Sequence, residues 1–202
     1  MGHYTGPKGR INRRLGLAVF ESGGAVCALV RRPTPPGMAP PPQKLSKYGE
    51  AMREKQKIKY YYGLGERQLR RMFDLARCQA GNTDENLLVL CERRLDSVVR
   101  LAGLTKTRPQ ARQGVAHGHF LVNGRRTDTP SMIVRIGDVI AVKQREQLAE
   151  LYRGLATSFA AERADWLAFD DANLRVTVLR LPTHDDITLP VDVAVVVELL
   201  IR

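Results

Sequence analysis

Between Thr107 and Arg126 the chain gathers side chains that can meet a phosphate or a base edge within twenty residues: Thr107, Arg108, Gln110, Arg112, Gln113, His117, His119, Asn123, Arg125 and Arg126. Guanidinium groups pair with phosphate bidentately, and the free backbone amides of a helix starting at Thr107 would add anion affinity. If two short helices pack together here, Arg108, Arg112 and the pair Arg125-Arg126 converge on one concave face. Arg93 and Arg94, just upstream, join the same set. A block like this is equally compatible with a solvated charged face. The Asn123-Gly124 turn pair, following two short helices at this spacing, moves the balance towards binding.

Other constellations carry less chemistry. The carboxylates Asp165, Asp170, Asp171, Asp185 and Asp186 could be imagined as an acid–base pair, but they flank strand ends and read better as a protein-facing or solvated surface. Gly63-Leu64-Gly65 lacks the third glycine and preceding apolar strand of a dinucleotide loop and reads as a turn. Lys44-Leu45-Ser46-Lys47 is similar to a synthetase signature loop, yet no nucleotide-binding unit accompanies it. Cys27, Cys78 and Cys91, with His3, His117, His119 and His184, fall at no usual metal-ligand spacing. No metal site is expected. An odd cysteine count also argues against a disulfide framework and fits a reducing cytoplasm.

The elements that must position these residues follow from periodicity. The first 32 residues lack sustained patterning and read as an extended basic arm. Six prolines in the ten residues from Pro33 to Pro42 make a stiff linker. Helices are expected over about 47–61 and 65–81, and from Thr83 or Asp84 towards Cys91. Leu95, Val98, Val99 and Ala102 fall at i, i+3, i+4 and i+7 on one apolar helical face ended by Gly103. A short helix capped by Thr107, with Pro109 in its first turn and Ala111 and Val115 facing inward, stops at Gly118. Phe120–Val122 and Arg125-Arg126 then form a hairpin, with further strand over Ile133–Val142. A helix with Leu148, Leu151, Tyr152 and Leu155 on one stripe covers about 145–163. Trp166–Phe169, Arg175–Leu181 and Val191–Ile201 are expected strands. The fold class is α+β: a basic N-terminal arm, a helical domain, and an inserted domain of short helices on a small, mostly antiparallel sheet.

Charge is distributed in blocks. The chain carries 32 Lys and Arg against 21 Asp and Glu, a formal net charge of +11. Residues 1–72 alone hold a net +11 and residues 91–145 a net +7, whereas residues 146–202 hold −5. Two basic blocks beside an acidic tail suggest two binding surfaces for a polyanion rather than a general solubility device. A membrane is the weaker partner, because no run of about 18 apolar residues occurs and no strong basic amphipathic helix with an aromatic apolar face is present.

The strings RRLDSVV, TRPQARQGVAHGHFLVNGRR and IGDVIAV, in that order, resemble the S4 RNA-binding domain. That domain also occurs in pseudouridine synthases, tyrosyl-tRNA synthetases and small stress proteins, so the flanks must decide. The start YTGPKGRINRRLG, the stretch KLSKYGEAMREKQKIKYYYGLGERQLRRMF and the ending LPTHDDI with VELLIR are similar to the bacterial small-subunit ribosomal protein S4 family across nearly the whole chain. The resemblance implies residues 1–44 as arm and linker, 45–90 as a helical rRNA-binding domain completed by 182–202, and 91–181 as the S4 domain with C-terminal strands.

Carried over by motif, the resemblance also implies that Lys8, Arg10, Arg13, Arg14, Tyr48, Arg53, Lys55, Lys57, Lys59, Tyr62, Arg67, Arg70 and Arg71 face rRNA, with Tyr61 as the core member of the tyrosine triplet. It further implies a non-enzymatic role in the cytoplasmic small subunit: binding 16S rRNA, nucleating assembly, lying near the mRNA entrance path, influencing accuracy, and touching neighbouring proteins including uS5 and uS3. Many relatives carry four N-terminal cysteines that hold zinc. Here Gly9 and Asn12 stand at the first two of those positions and Cys27 is isolated, so no cofactor is expected. Gly114 stands where relatives have a larger apolar residue, at a cost of about 1 kcal/mol relative to alanine in a helix interior. The alternatives are an RNA-modifying enzyme or a small stress protein that docks on rRNA through the same domain.

Overall fold

The computed structural model describes residues 4–38 and 45–201, in which nine α-helices and five β-strands are found. Residues 39–42 of the proline segment, and Lys44, therefore lie outside the described residues. The chain forms two compact units, one from residues 1–87 with 189–202 and one from residues 88–188, the second inserted into the first along the sequence.

In the first unit the expected extended arm is helical. α1 (Lys8–Leu15) ends at Gly16, and α2 (Gly23–Arg31) follows and packs on it. Helices of eight and nine residues are marginal alone, so packing must sustain them. Ile11 and Leu15, one helical turn apart, close on Val19, Phe20 and Ala25. Tyr4, Phe20 and Tyr60 then form an aromatic triangle with ring centroids 5.4–6.0 Å apart. Asn12 is wholly buried, and its side chain donates to the Phe20 carbonyl at 3.0 Å while accepting from the Phe20 amide at 2.9 Å. The arm's polar backbone at the bend is thus satisfied by one side chain.

α3 (Lys47–Tyr61) is capped by Ser46, whose hydroxyl accepts from the Gly49 amide. α4 (Glu66–Arg77) buries the stripe Leu69, Met72, Phe73 and Ala76, and α5 (Thr83–Glu92) starts where expected. The C-terminal segment corrects the reading at Val191–Ile201: it is α9 (Val193–Ile201), a helix packed on α3 and α4, with Val193 and Val196 buried. Its β-branched composition favours strand, but a helical apolar face at i, i+3 against two helices outweighs a propensity of a few tenths of a kcal/mol per residue.

The second unit holds α6 (Leu95–Leu101), α7 (Arg108–Ala116), β1 (Phe120–Val122), β2 (Arg125–Arg126), β3 (Val139–Val142), α8 (Glu146–Ser158), β4 (Leu167–Asp170) and β5 (Arg175–Val178). The sheet order is β2-β1-β3-β5-β4, with every pairing antiparallel. Leu95, Val98, Val99, Ala102, Ala111, Val115 and Phe120 meet Ile140, Tyr152, Trp166 and Val176 in one core. Two corrections follow. The strand expected over 133–142 is confined to β3, because Asp138 accepts from the Arg135 amide and closes a turn before it. On α8 Tyr152 is buried and Leu148 and Leu155 pack against the core as expected, joined by Ala156, but Leu151 turns outward and is 52% exposed.

Candidate nucleic-acid interface

The second unit sorts its cations into two sets. Asp96, at the start of α6, is buried and receives two hydrogen bonds from Arg94, at 3.0 and 2.7 Å, and a longer one of 3.4 Å from Arg112. Glu92 lies 3.5 Å from the Arg108 guanidinium, both buried. An ion pair out of water is stable only when geometry and further hydrogen bonds offset desolvation; Asp96 meets this by also accepting the Ser97 amide at 3.1 Å. The expectation that Arg94, Arg108 and Arg112 turn towards an RNA is therefore corrected: Arg94 and Arg108 are buried in the scaffold, and Arg112 leans on it.

Three more of the expected contact residues serve local structure. The Thr107 hydroxyl accepts from the Gln110 amide, and the Gln110 side chain accepts from the Lys106 amide, which together start α7. Asn123 has φ 50° and Gly124 φ 78°, the positive pair of a type I′ turn. The Asn123 side chain is spent on Asp138 at 2.8 Å and on the Val139 amide at 2.9 Å.

The second set points outward. Arg125 and Arg126 are exposed on β2, and neither has a carboxylate partner among the described residues. Gln113 and His117 are exposed and His119 is half-buried. Gln113 donates to His117 Nε2 at 2.7 Å. The Arg126 guanidinium lies across Gly118, where an added Cβ would stand 2.6 Å from Nε, and Gly118 itself has φ +68°. A larger residue would be strained on this backbone and would have to push the Arg126 side chain aside. Arg93 is partly buried, donates to the Val134 carbonyl at 3.2 Å, and is held below its ordinary pKa first by burial and then by the Arg135 guanidinium. The sequence shows the charge of Arg135 but not its influence on Arg93.

The first unit presents its own basic surface. Arg67, Arg70 and Arg71 share the exposed face of α4 opposite its apolar stripe, and Arg10 and Arg14 are exposed on α1. None pairs with a carboxylate among the described residues. Tyr48 is 62% exposed at the start of α3. Arg53, Lys57 and Lys59 are half-buried; Lys57 pairs with Glu54 at 2.6 Å, and Lys59 reaches Glu66 at 3.3 Å and the Tyr60 ring at 5.5 Å. Lys8 sits over the Phe20 ring at 5.8 Å. Arg13 donates to the carbonyls of Arg32, Thr34 and Pro35, and with Arg31, Arg32 and Cys27 lines an open cavity of about 480 Å³.

Two expectations are reversed here. Tyr62, expected to face rRNA, is 2% exposed, while Tyr61, expected in the core, is half-buried. Lys55 is buried and holds Glu66 at 2.5 Å, an internal tie that lowers the carboxyl's pKa.

The positions expected of a lost metal site do not fit a metal. Gly9 offers no ligand, both amide atoms of Asn12 are committed to Phe20, and Cys27 stands alone on α2. Among the described residues no three His, Cys, Asp or Glu side chains gather for a metal, and no helix is long and apolar enough to cross a membrane. In the acidic tail Asp171 binds Arg163 at 2.9 Å, Asp186 binds Arg180, and Asp170 caps the turn at Ala172 and Asn173.

Paired short helices joined to a hairpin, with internally neutralised arginines beneath and unpaired cations outside, define an RNA-binding module of the S4 type. The S4 domain profile matches residues 93–140, and the profile for the ribosomal protein S4/S9 N-terminal domain matches residues 3–92. The chain is 56% identical to the small ribosomal subunit protein uS4 of Rhodopirellula baltica over 202 residues, all of both chains. It is 43% identical to that of Persephonella marina over 98% of each chain, and 43% identical to that of Roseiflexus castenholzii over 92% of each. The chain belongs to the uS4 family of small-subunit ribosomal proteins, which are structural rather than catalytic.

Proposed function

We propose that this protein binds small-subunit rRNA through both basic surfaces and acts as a folding template for it. The observation that carries this reading is the set of exposed arginines without carboxylate partners among the described residues: Arg10, Arg14, Arg67, Arg70 and Arg71 in one unit, Arg125 and Arg126 in the other. A cation left unpaired on a rigid element displaces counterions from a phosphate, whereas one already paired gains little. Exposed Tyr48 supplies a face for an unpaired base.

The finer part of this proposal rests on the resemblance to the family. The protein nucleates subunit assembly, lies near the mRNA entrance path, influences decoding accuracy and contacts neighbouring ribosomal proteins including uS5 and uS3. The acidic segment 146–202 supports a protein-facing side. The protein works without a metal cofactor, for which the commitment of Asn12 to Phe20 is the support.

A salt titration of binding to 16S rRNA tests the reading. With about eight phosphates engaged, log K falls with log salt at a slope of roughly −6 to −7, and chemical footprinting reports the protected helices. A slope near zero rejects it.

A further inference from the structure

A glycine in the interior of α7 weakens the helix, and the cause lies across the core. An ideal Cβ on Gly114 would stand 2.6 Å from the Tyr152 hydroxyl oxygen and 3.1 Å from the Phe120 ring. Tyr152 comes from α8, its ring buried against Phe120 at 5.1 Å between centroids, and its hydroxyl lies 3.0 Å from His119 Nδ1. Gly114 is the gap through which this hydroxyl reaches the histidine.

The direction of that bond follows from bookkeeping of protons. Burial holds the Tyr152 phenol up at about 12, so it keeps its proton. Among the described residues Nδ1 is its one acceptor, and a hydroxyl out of water that donates nothing forfeits a hydrogen bond. Tyr152 therefore donates to Nδ1, which fixes the His119 tautomer with its hydrogen on Nε2. No protein group among the described residues accepts from Nε2, and that atom is not buried. The groups facing this ring are Tyr152, His117 at 5.7 Å, and Arg145; burial first, then these two neighbours, disfavour its protonation. The Arg126 guanidinium lies over Gly118, the residue between the two histidines in sequence.

We propose that Gly114 and Tyr152 are positioning residues that lock His119 as a neutral Nε2–H donor aimed at an acceptor atom of the bound RNA, a base edge or a phosphate oxygen. This rests on the rRNA-binding reading and adds to it one directional, uncharged contact within a cationic surface. Such a contact releases no counterion, so removing it lowers affinity without changing the salt slope; a protonated histidine would change both.

The experiment measures 16S rRNA binding by the full chain and its variants against salt, with imidazole nitrogen NMR of the free proteins. His119→Leu is expected to bind about tenfold more weakly at unchanged salt slope, the worth of one hydrogen bond. His119→Gln, which keeps an amide donor, stays within about threefold of the wild type. Tyr152→Phe keeps the buried ring but releases Nδ1, mixes the tautomers and weakens binding several-fold. Base-methylation and phosphate-ethylation interference, compared between wild type and His119→Leu, assign the acceptor. The inference is overturned if wild-type His119 carries its hydrogen on Nδ1, if His119→Leu or Tyr152→Phe binds like the wild type, or if the slope falls by about one. A wild type that does not bind 16S rRNA at all overturns the functional reading along with it.

Discussion

Arg94 and Asp96, two residues apart at the entrance to α6, face each other out of water and share two hydrogen bonds of 3.0 and 2.7 Å. Because Arg112 leans on the same carboxylate, Asp96 is the point at which one anion neutralises two cations. Asp96→Ala leaves a buried guanidinium without its counter-charge, which costs about 3–5 kcal/mol. Urea unfolding followed by Trp166 fluorescence reports this unit specifically, since Trp166 is the sole tryptophan, lies within residues 88–188 and is 1% exposed. An unchanged midpoint would remove the ion pair from the scaffold.

Arg125 and Arg126 should behave in the opposite way. Both side chains are exposed on β2, so Arg125→Ala with Arg126→Ala shifts stability by no more than about 0.5 kcal/mol per site. Binding to 16S rRNA weakens, and the salt slope becomes shallower by about 0.7–0.9 for each phosphate that the variant no longer neutralises. Equal slopes for wild type and double variant would show that these arginines meet no phosphate.

How much of this was legible depends on whether a feature is set locally. The Thr107 cap, the Asn123-Gly124 turn and the apolar face from Leu95 to Ala102 are written in short spacings, and all three stand where those spacings placed them. The division of arginines was not legible. Nothing in the order RRLDSVV says that Arg94 folds back on Asp96 while Arg93 reaches the Val134 carbonyl 41 residues away. The same limit hid α1 and α2, whose stability comes from Asn12, Phe20 and Tyr60 rather than from helix propensity, and it made α9 look like a strand. Tyr61 and Tyr62 were exchanged because neighbouring residues at a helix end differ by about 100° of rotation, less than the uncertainty in where the helix stops.

In the N-terminal unit, Asn12→Leu removes two hydrogen bonds and strands the Phe20 amide and carbonyl in a buried site. Each orphaned backbone group costs about 1–3 kcal/mol, so protection of the α1 and α2 amides from hydrogen exchange falls sharply in the variant. Treating the wild type with a metal chelator leaves the same protection unchanged. Loss of protection on chelation would show that a metal, not Asn12, closes this lobe.

Arg180 and Asp186 make the clearest pH prediction. The guanidinium binds the carboxylate at 2.6 and 2.9 Å, and the Thr183 amide and hydroxyl add bonds of 2.7 and 2.9 Å. The Arg180 bond, followed by the Thr183 bonds, holds the Asp186 carboxyl well below the ordinary carboxylate range, although partial burial opposes this. A carboxyl whose pKa is lower folded than unfolded stabilises the fold fully above its unfolded value of about 3.9. That stabilisation is lost as pH falls towards the folded value, because the unfolded chain then takes up the proton first. Thermal midpoints measured from about pH 7 down to about pH 2 should therefore fall less steeply in Asp186→Asn, which has no carboxyl to titrate there. Arg180→Ala keeps the carboxyl but returns it towards its ordinary pKa, so its acid limb is also shallower and its midpoint at neutral pH is lower than the wild type's. If all three proteins lose the same number of degrees over that range, the Arg180–Asp186 pair does not hold the turn at residues 183–186 in solution.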